Sequence, residues 1–546
     1  MGAVVGEQRA RAIEGSVWRR PCDREPRSSI EIYRETKMDL NKTEQGTELE
    51  TFLPRDGIKN HVSGIGEGVQ GKYIPEANGD GAFKRANEEP WDPFKERKLD
   101  HPTTDCDTLT HLLKASLGSG ILAMPIAFKH SGLTMGVFAT VLVAVICTHC
   151  SYILVKCAHR LYVRTRVTAM SFAEVSTVAF KNGPAWSRPY AQLSRLIILV
   201  SLFLTYFGTC SVYIVIIANN FQQVIEQYTQ AFLDQRIYIA AFLIPLILLS
   251  WVPNLKYLAP VSMLANGLMG CGLGITVYYL VQELPAPSER PHFNGFGGLP
   301  QFFSIVIFAM EAIGVVMPLE NNMEHPRHFL GLAGVLNQGM AGVTMVYILL
   351  GFLGYLKYGD DTMGSITLNL PTDEYLAQSV KILIALAVFC TYGLQFFVCL
   401  EICWDGIKDY YKGSRLANYV LRTALVTLTV ALAVAVPTIG PFIGLIGALC
   451  FSILGLICPA VIEMVTFWEE GLGPGKWLLW KNLAVSAFGV MALIFGTLTS
   501  IEDIVKLYSE DHLAHSEEEE HIHALNQTIA NVTSAVVEEI MTTLAP

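Results

Sequence analysis

Leu117-Gly118-Ser119-Gly120-Ile121-Leu122-Ala123-Met124-Pro125 interrupts an apolar run with glycines and closes on Met-Pro. Far downstream, Glu311-Ala312-Ile313-Gly314-Val315-Val316-Met317-Pro318 repeats the pattern. Glycine and proline weaken a helix, and in a bilayer every backbone group they free must find a protein, water or ligand partner. Both stretches therefore read as breaks in membrane-crossing helices.

Composition supports that setting. Hydrophobic residues are 51% of the 546-residue chain and charged residues 16%, with a mean hydropathy of +0.38. This is too apolar for a chain of soluble domains. Runs of roughly 20 apolar residues, each able to cross a bilayer core of about 30 Å, recur from Leu109 to Ser500. They predict an all-α integral membrane protein of about eleven transmembrane helices. The first span lies near Thr108–Phe128, the sixth near Phe302–Met317 and the last near Leu478–Ser500.

Three regions follow. Residues 1–106 are rich in Glu, Arg, Gly and Lys without periodicity and read as a disordered cytosolic arm; residues 107–500 form the transmembrane domain. Residues 501–546 form a lumenal or extracellular tail, whose acidic and histidine residues read as a solvated patch. The start carries no apolar signal segment and no myristoylation pattern.

Basic residues orient the bundle. Lys156, Arg160, Arg164, Arg166, Lys181, Arg188 and Arg195 crowd the connection after the second span, and Lys408, Lys412, Arg415 and Arg422 the one after the eighth. The alternate connections 219–236 and 282–301 offer only Arg236 and Arg290. The rich loops face the cytosol, which puts the N-terminus inside and the first and sixth spans in opposite directions. Asn526-Gln527-Thr528 and Asn531-Val532-Thr533 agree, since a glycosylation acceptor works only on the far side.

Most cysteines sit in apolar segments and read as packing residues. Cys147-Thr148-His149-Cys150 resembles half of a metal site, but no second pair follows, so no metal is expected.

The breaks carry the chemistry. Unwinding at Gly118-Ser119-Gly120 exposes amides at the start of a half-helix, where the dipole holds an anion without a cationic side chain. The Ser119 hydroxyl adds a donor. Carbonyls freed at the other half, and those near Ala312–Gly314, accept an ammonium. Close helix packing explains either glycine cluster alone equally well. The pair together, opposed, points to the midplane site of an inverted-repeat transporter. Its substrate-binding candidates are Gly118, Ser119, Gly120 and Ile121 with Phe308, Glu311, Ala312 and Gly314. Glu311 has three open roles: holding an ammonium, carrying a proton or bracing the broken helix. Gly270-Cys271-Gly272-Leu273-Gly274 has no partner stretch and reads as packing.

Ionisable residues within spans are functional candidates. His111, Ala115 and Gly118 share one helix face, so His111 can point toward the break, and imidazole titrates near physiological pH. It is the proton-coupling candidate. Glu320, Glu401 and Glu463 lie near cytosolic ends and read as solvated or gate ion pairs.

At these residues the chain resembles the proton-coupled amino acid transporters of the auxin/amino acid permease group, more narrowly the insect relatives of the solute carrier 36 family. The resemblance runs from about Thr108 to Ser500. It rests on His111-Leu112-Leu113-Lys114, Gly118-Ser119-Gly120-Ile121-Leu122, Leu154-Val155-Lys156-Cys157-Ala158-His159, the Glu311–Asn321 stretch and Gly364-Ser365-Ile366-Thr367-Leu368-Asn369-Leu370-Pro371. It implies a LeuT-like 5+5 inverted repeat with helices 1 and 6 broken, and uptake of small neutral amino acids (the alanine, glycine and proline class), often with a proton. It places the proton-linked histidine on His111 and the substrate segment on Gly118–Ile121. The outward loops 219–236 and 357–375 lack the cysteines that vertebrate members join. Gly-Ser-Gly also replaces the usual Gly-Thr-Gly, which leaves specificity open.

The expectation is a secondary active transporter working by alternating access, with no cofactor beyond H+, no nucleic-acid partner and the lipid bilayer around it. An uncoupled facilitator is one alternative. A low-flux sensor, with signalling partners on its cytosolic arm, is another. No nucleophile–base pair or metal triad argues for an enzyme, and no filter-like loop for a channel. Plasma membrane and lysosomal or endosomal membrane are equally compatible.

Overall fold

The structure, a computed structural model, describes residues 91–99, 102–229, 233–252, 259–310, 312–408, 410–411 and 414–509. Among these, nine helices are long and apolar enough to cross a bilayer, ten when the bent first pair counts as one span. Gln235–Ser250, a shorter apolar stretch, stands where the fourth of the expected eleven spans falls. The expected tail begins as a continuation of the last helix, which runs Pro474–Ser509.

The first span starts on a reciprocal cap. The Asp107 amide donates to Thr104 Oγ1 and the Thr104 amide to Asp107 Oδ2, both at 3.2 Å, satisfying two amides that a helix start leaves open. The helix Asp105–Ser116 then stops, a 3-10 turn spans Ser119–Ala123, and Met124–Ser131 completes the crossing. The halves bend by 47°. Pro125 lies in the first turn of its half-helix, where its missing N–H costs nothing. The sixth span divides into Leu299–Met310 and Ile313–Asn322. Pro318 sits inside the second half, so the break falls before Gly314.

The two broken spans are antiparallel. At one end the Thr103 amide donates to Asn322 O at 2.8 Å and the Glu324 amide to Thr103 O at 3.0 Å. At the other, the Asn294 amide donates to Ser131 O at 3.0 Å. Gly120 permits their close approach, because a Cβ there would stand 2.7 Å from Ala309 Cα. Gly272 packs similarly, with Ile384 of the span Tyr375–Ile407 filling the place of a side chain.

The tail end of the expected disordered arm is packed, not loose. Pro93–Glu96 forms one helical turn, with Phe94 edge-on to His159 at 4.9 Å and Arg97 over the rings of Phe94 and Tyr162. Aromatic and cation–π contacts tie down residues that composition alone assigns to disorder. Residues 1–90 lie outside the described residues.

A buried ionic centre joins three spans. Glu463, fully buried, accepts from Lys156 at 3.3 Å, from Lys481 and from Asn482 at 3.0 Å. These residues come from Cys458–Phe467, Leu133–Thr165 and Pro474–Ser509. Removing the carboxylate strands a mostly buried lysine. Glu463→Ala is expected to destabilise the bundle by about 3 kcal/mol, read as a lower melting temperature of the detergent-purified protein, with Glu463→Gln between it and the parent.

Candidate functional site

A cavity of about 190 Å³ opens between the two breaks. It is smaller than the roughly 300–1,000 Å³ clefts that take drug-sized ligands, a size for a small solute. Gly118, Ser119 and Gly120 line it from the first span; Phe308, Ala312 and Gly314 line it from the sixth. Those six sequence candidates are therefore brought together. Ile121 is fully buried in the core beside them and is not among the cavity-lining residues. His111 is buried at 7% exposure, two turns before the break, and does not line the cavity either. Glu311, Asn526 and Asn531 lie outside the described residues.

Gly118 is extended (φ −85°, ψ −161°) and begins the 3-10 turn without a side-chain cap. The first amides of such a turn have no acceptor within it, and the run continuing through Ser131 aligns its dipole behind them. A methyl at Gly118 would sit 3.8 Å from the Tyr213 hydroxyl. That hydroxyl meets the Ser119 side chain and accepts from Gln395 Nε2 at 3.5 Å. Amides, two hydroxyls and a carboxamide thus gather at the first break. Gly314 makes room for the Tyr206 hydroxyl, 2.7 Å from where a Cβ would stand.

The freed carbonyls are handled differently from the sequence expectation. Ser116 O accepts from the Gly118 amide at 2.8 Å and from the Tyr347 hydroxyl. The same hydroxyl reaches Ala309 O at 2.9 Å. Two contacts use both lone pairs of the Ser116 carbonyl, so it has none left for an ammonium. Tyr347, fully buried in the span Val335–Tyr358, instead tethers the end of one broken half-helix to the end of the other. A π-helical stretch, Gly447–Ile457, adds Phe451 to the cavity wall, edge-on to Phe308 at 5.6 Å; π-helical turns are frequent at functional sites.

Beyond the sixth-span break, Glu320 closes the N-terminal end of the bundle. Its fully buried carboxylate meets Arg97 at 3.2 Å, His159 Nε2 at 3.0 Å and the Tyr162 hydroxyl at 3.0 Å. The gate pair read from sequence is thus a four-residue cluster, with Arg97 supplied by the segment before the first span. Tyr347, Tyr213, Gln395 and Arg97 were missed in the sequence. A polar side chain in an apolar run is the only signal the first three leave, and partners cannot be read from it.

The two glycines of the first break are expected to separate by substitution. Gly120→Ala drives a methyl into Ala309 and costs about 1–3 kcal/mol; Gly118→Ala places its methyl in the cavity. Thermal denaturation of the purified variants checks this: Gly120→Ala melts early, while Gly118→Ala melts like the parent but binds ligand more weakly.

Residues 101–502 match the family described as transmembrane amino acid transporter protein. The proton-coupled amino acid transporter-like protein pathetic of Drosophila melanogaster is 60% identical over 465 residues, covering 85% of this chain and 96% of that protein. The amino acid transporter AVT3C of Arabidopsis thaliana is 28% identical over 417 residues, covering 73% and 90%. Among solved structures, the inward-facing conformation of Mhp1 aligns over 76% of this chain and 92% of that one, at 11% identity and a TM-score of 0.42. That likeness is too loose to bear on the site. The chain belongs to the transmembrane amino acid transporter family, a family of membrane carriers rather than enzymes.

Proposed function

We propose that this protein carries small neutral amino acids across the membrane by alternating access. The cavity between the two antiparallel breaks is the observation that carries this reading. The substrate carboxylate docks on the amides at Ser119 and Gly120, helped by the half-helix dipole, with the Ser119 and Tyr213 hydroxyls beside it. The ammonium turns toward the sixth-span break, where the carbonyls around Ala312 are its acceptors; the three roles of Glu311, holding the ammonium, carrying a proton or bracing the helix, stay open. Gly118 leaves room for a small side chain and the Tyr206 hydroxyl fills the place beside Gly314, which favours alanine, glycine and proline over larger substrates.

The reading includes a LeuT-like 5+5 inverted repeat, supported by the antiparallel course of the first and sixth spans, and an inward N-terminus, supported by the basic residues of the connections after the second and eighth spans. It also includes proton symport. The Drosophila relative is named for proton coupling, and His111 supplies a titratable group in the same broken span. His111 acts two turns below the cavity, through the first half-helix that Tyr347 holds, and not by touching substrate. A proton crossing one pH unit supplies about 1.4 kcal/mol, and one charge crossing 100 mV about 2.3 kcal/mol. Together they sustain a roughly several-hundred-fold gradient of a neutral solute.

Proteoliposome uptake of labelled alanine, proline and glycine tests this at about pH 5.5 and about pH 7.5 outside. The expected result is faster uptake from acid, lost in His111→Ala while alanine binding persists. Uptake independent of pH and of His111 would establish a facilitator; binding without flux would establish a sensor.

A further inference from the structure

Lys381 lies in the second turn of the helix Tyr375–Ile407 and is fully buried. Its ammonium donates to Gln223 Oε1 at 2.6 Å and to the carbonyls of Thr367 and Leu370, each at 3.0 Å. An ammonium has three hydrogens, and all three are used. None of these acceptors is a carboxylate. A buried cation without a counter-ion is costly, so a simple packing position would be filled better by leucine or methionine. What the charge gains here is a hold on one loop.

That loop, residues 359–374, links the span Val335–Tyr358 to Tyr375–Ile407. It lies at the end of the bundle opposite the Thr103–Asn322 contact. Its internal bonds make it one piece: Asn369 Oδ1 accepts from the Met363 amide at 2.9 Å, and Asn369 Nδ2 donates to Asp361 O at 2.8 Å. Ser365, Ile366 and Thr367 are fully buried. Ile366 and Leu370 share one apolar core with Ile121 and Ala123 of the first-break turn. Gln223, from the helix Ala191–Thr229, adds a second tie from its Nε2 to Leu368 O at 3.2 Å. The loop is a stiff cap over the first break, and Lys381 gathers the ties on its buried middle, residues 367–370; its ends are held separately, by Lys129 Nζ on Asp360 O and Gln378 Nε2 on Thr372 O, each at 2.6 Å, and by the Tyr279 hydroxyl on Glu374.

We propose that Lys381 is the latch of this cap, a positioning residue for transport. Opening of the central cavity toward that side requires the Lys381 ammonium to release the Thr367 and Leu370 carbonyls. A charged donor on neutral carbonyls suits the task, because water entering an opening cap can solvate the ammonium as the contacts part. The functional consequence rests on the reading that the central cavity carries substrate; the mechanical one does not.

Amide hydrogen exchange followed by mass spectrometry, on the substrate-free purified protein, tests the latch. In Lys381→Met the amides of residues 364–370 are expected to exchange about tenfold faster, with the spans unchanged. Gln223→Leu, which spares the lysine, gives an intermediate gain and serves if Lys381→Met does not fold. In uptake assays from the cap side, Lys381→Met lowers both the maximal rate and the apparent KM, because an unlatched cap binds readily but returns slowly. Exchange at 364–370 equal to the parent, or raised evenly across every span, overturns the proposal. Faster local exchange in a protein that moves no amino acid keeps the latch and sinks the proposed function. Normal flux with unchanged exchange does the reverse.

Discussion

A helix broken inside a bilayer leaves carbonyls that water does not reach, and here one phenolic hydroxyl answers for two breaks. Tyr347 binds Ser116 O, where the first half of the first span ends, and Ala309 O, near the end of the first half of the sixth. Ser116 O keeps the Gly118 amide in any case, so what the shared hydroxyl adds is a single bridging donor between the two breaks, worth about 1–3 kcal/mol where a buried acceptor would otherwise go unpaired. With it, the breaks lie at one level. Gly120 then lets the two spans close to contact, and the space left between them is the cavity. The site is a by-product of how the broken backbone is repaired.

From that fixed centre the two ends of the bundle are closed by different chemistry. At the N-terminal end, buried Glu320 gathers Arg97, His159 and Tyr162. Two of its partners are themselves charged or chargeable, and one comes from the segment before the first span. At the opposite end, the buried Lys381 ammonium holds neutral oxygens only. In each closure one fully buried ionised group gathers three contacts. Such contacts are strong while dry and weaken once water enters, which is what the proposed alternating access asks of ends that part without unfolding the helices between them.

Much of this was legible in the sequence. Apolar windows located the spans because bilayer thickness fixes their length. The glycines of Gly118-Ser119-Gly120 located the first break because nothing else in that run relaxes a helix. The Met-Pro pairs that flagged both stretches turned out to be incidental: Pro125 starts a half-helix, and Pro318 is carried inside one. His111 shares a helix face with Gly118, yet the face that packs and the face that lines the cavity are set by neighbouring spans. Tyr347 was illegible for the same reason. Its partners are 231 and 38 residues away, and no periodicity records contacts of that kind. Lys381 did carry a signal, a cation in an apolar run, but its acceptors are carbonyls, which every residue has.

The central claim is that the repaired breaks form the amino acid site. A cryo-electron microscopy structure of the protein saturated with L-alanine addresses it most directly. The account predicts one alanine between the breaks, its carboxylate on the Ser119 and Gly120 amides, with Tyr347 still bridging Ser116 and Ala309. Alanine bound elsewhere, or a Tyr347 hydroxyl turned away to the ligand, would contradict it.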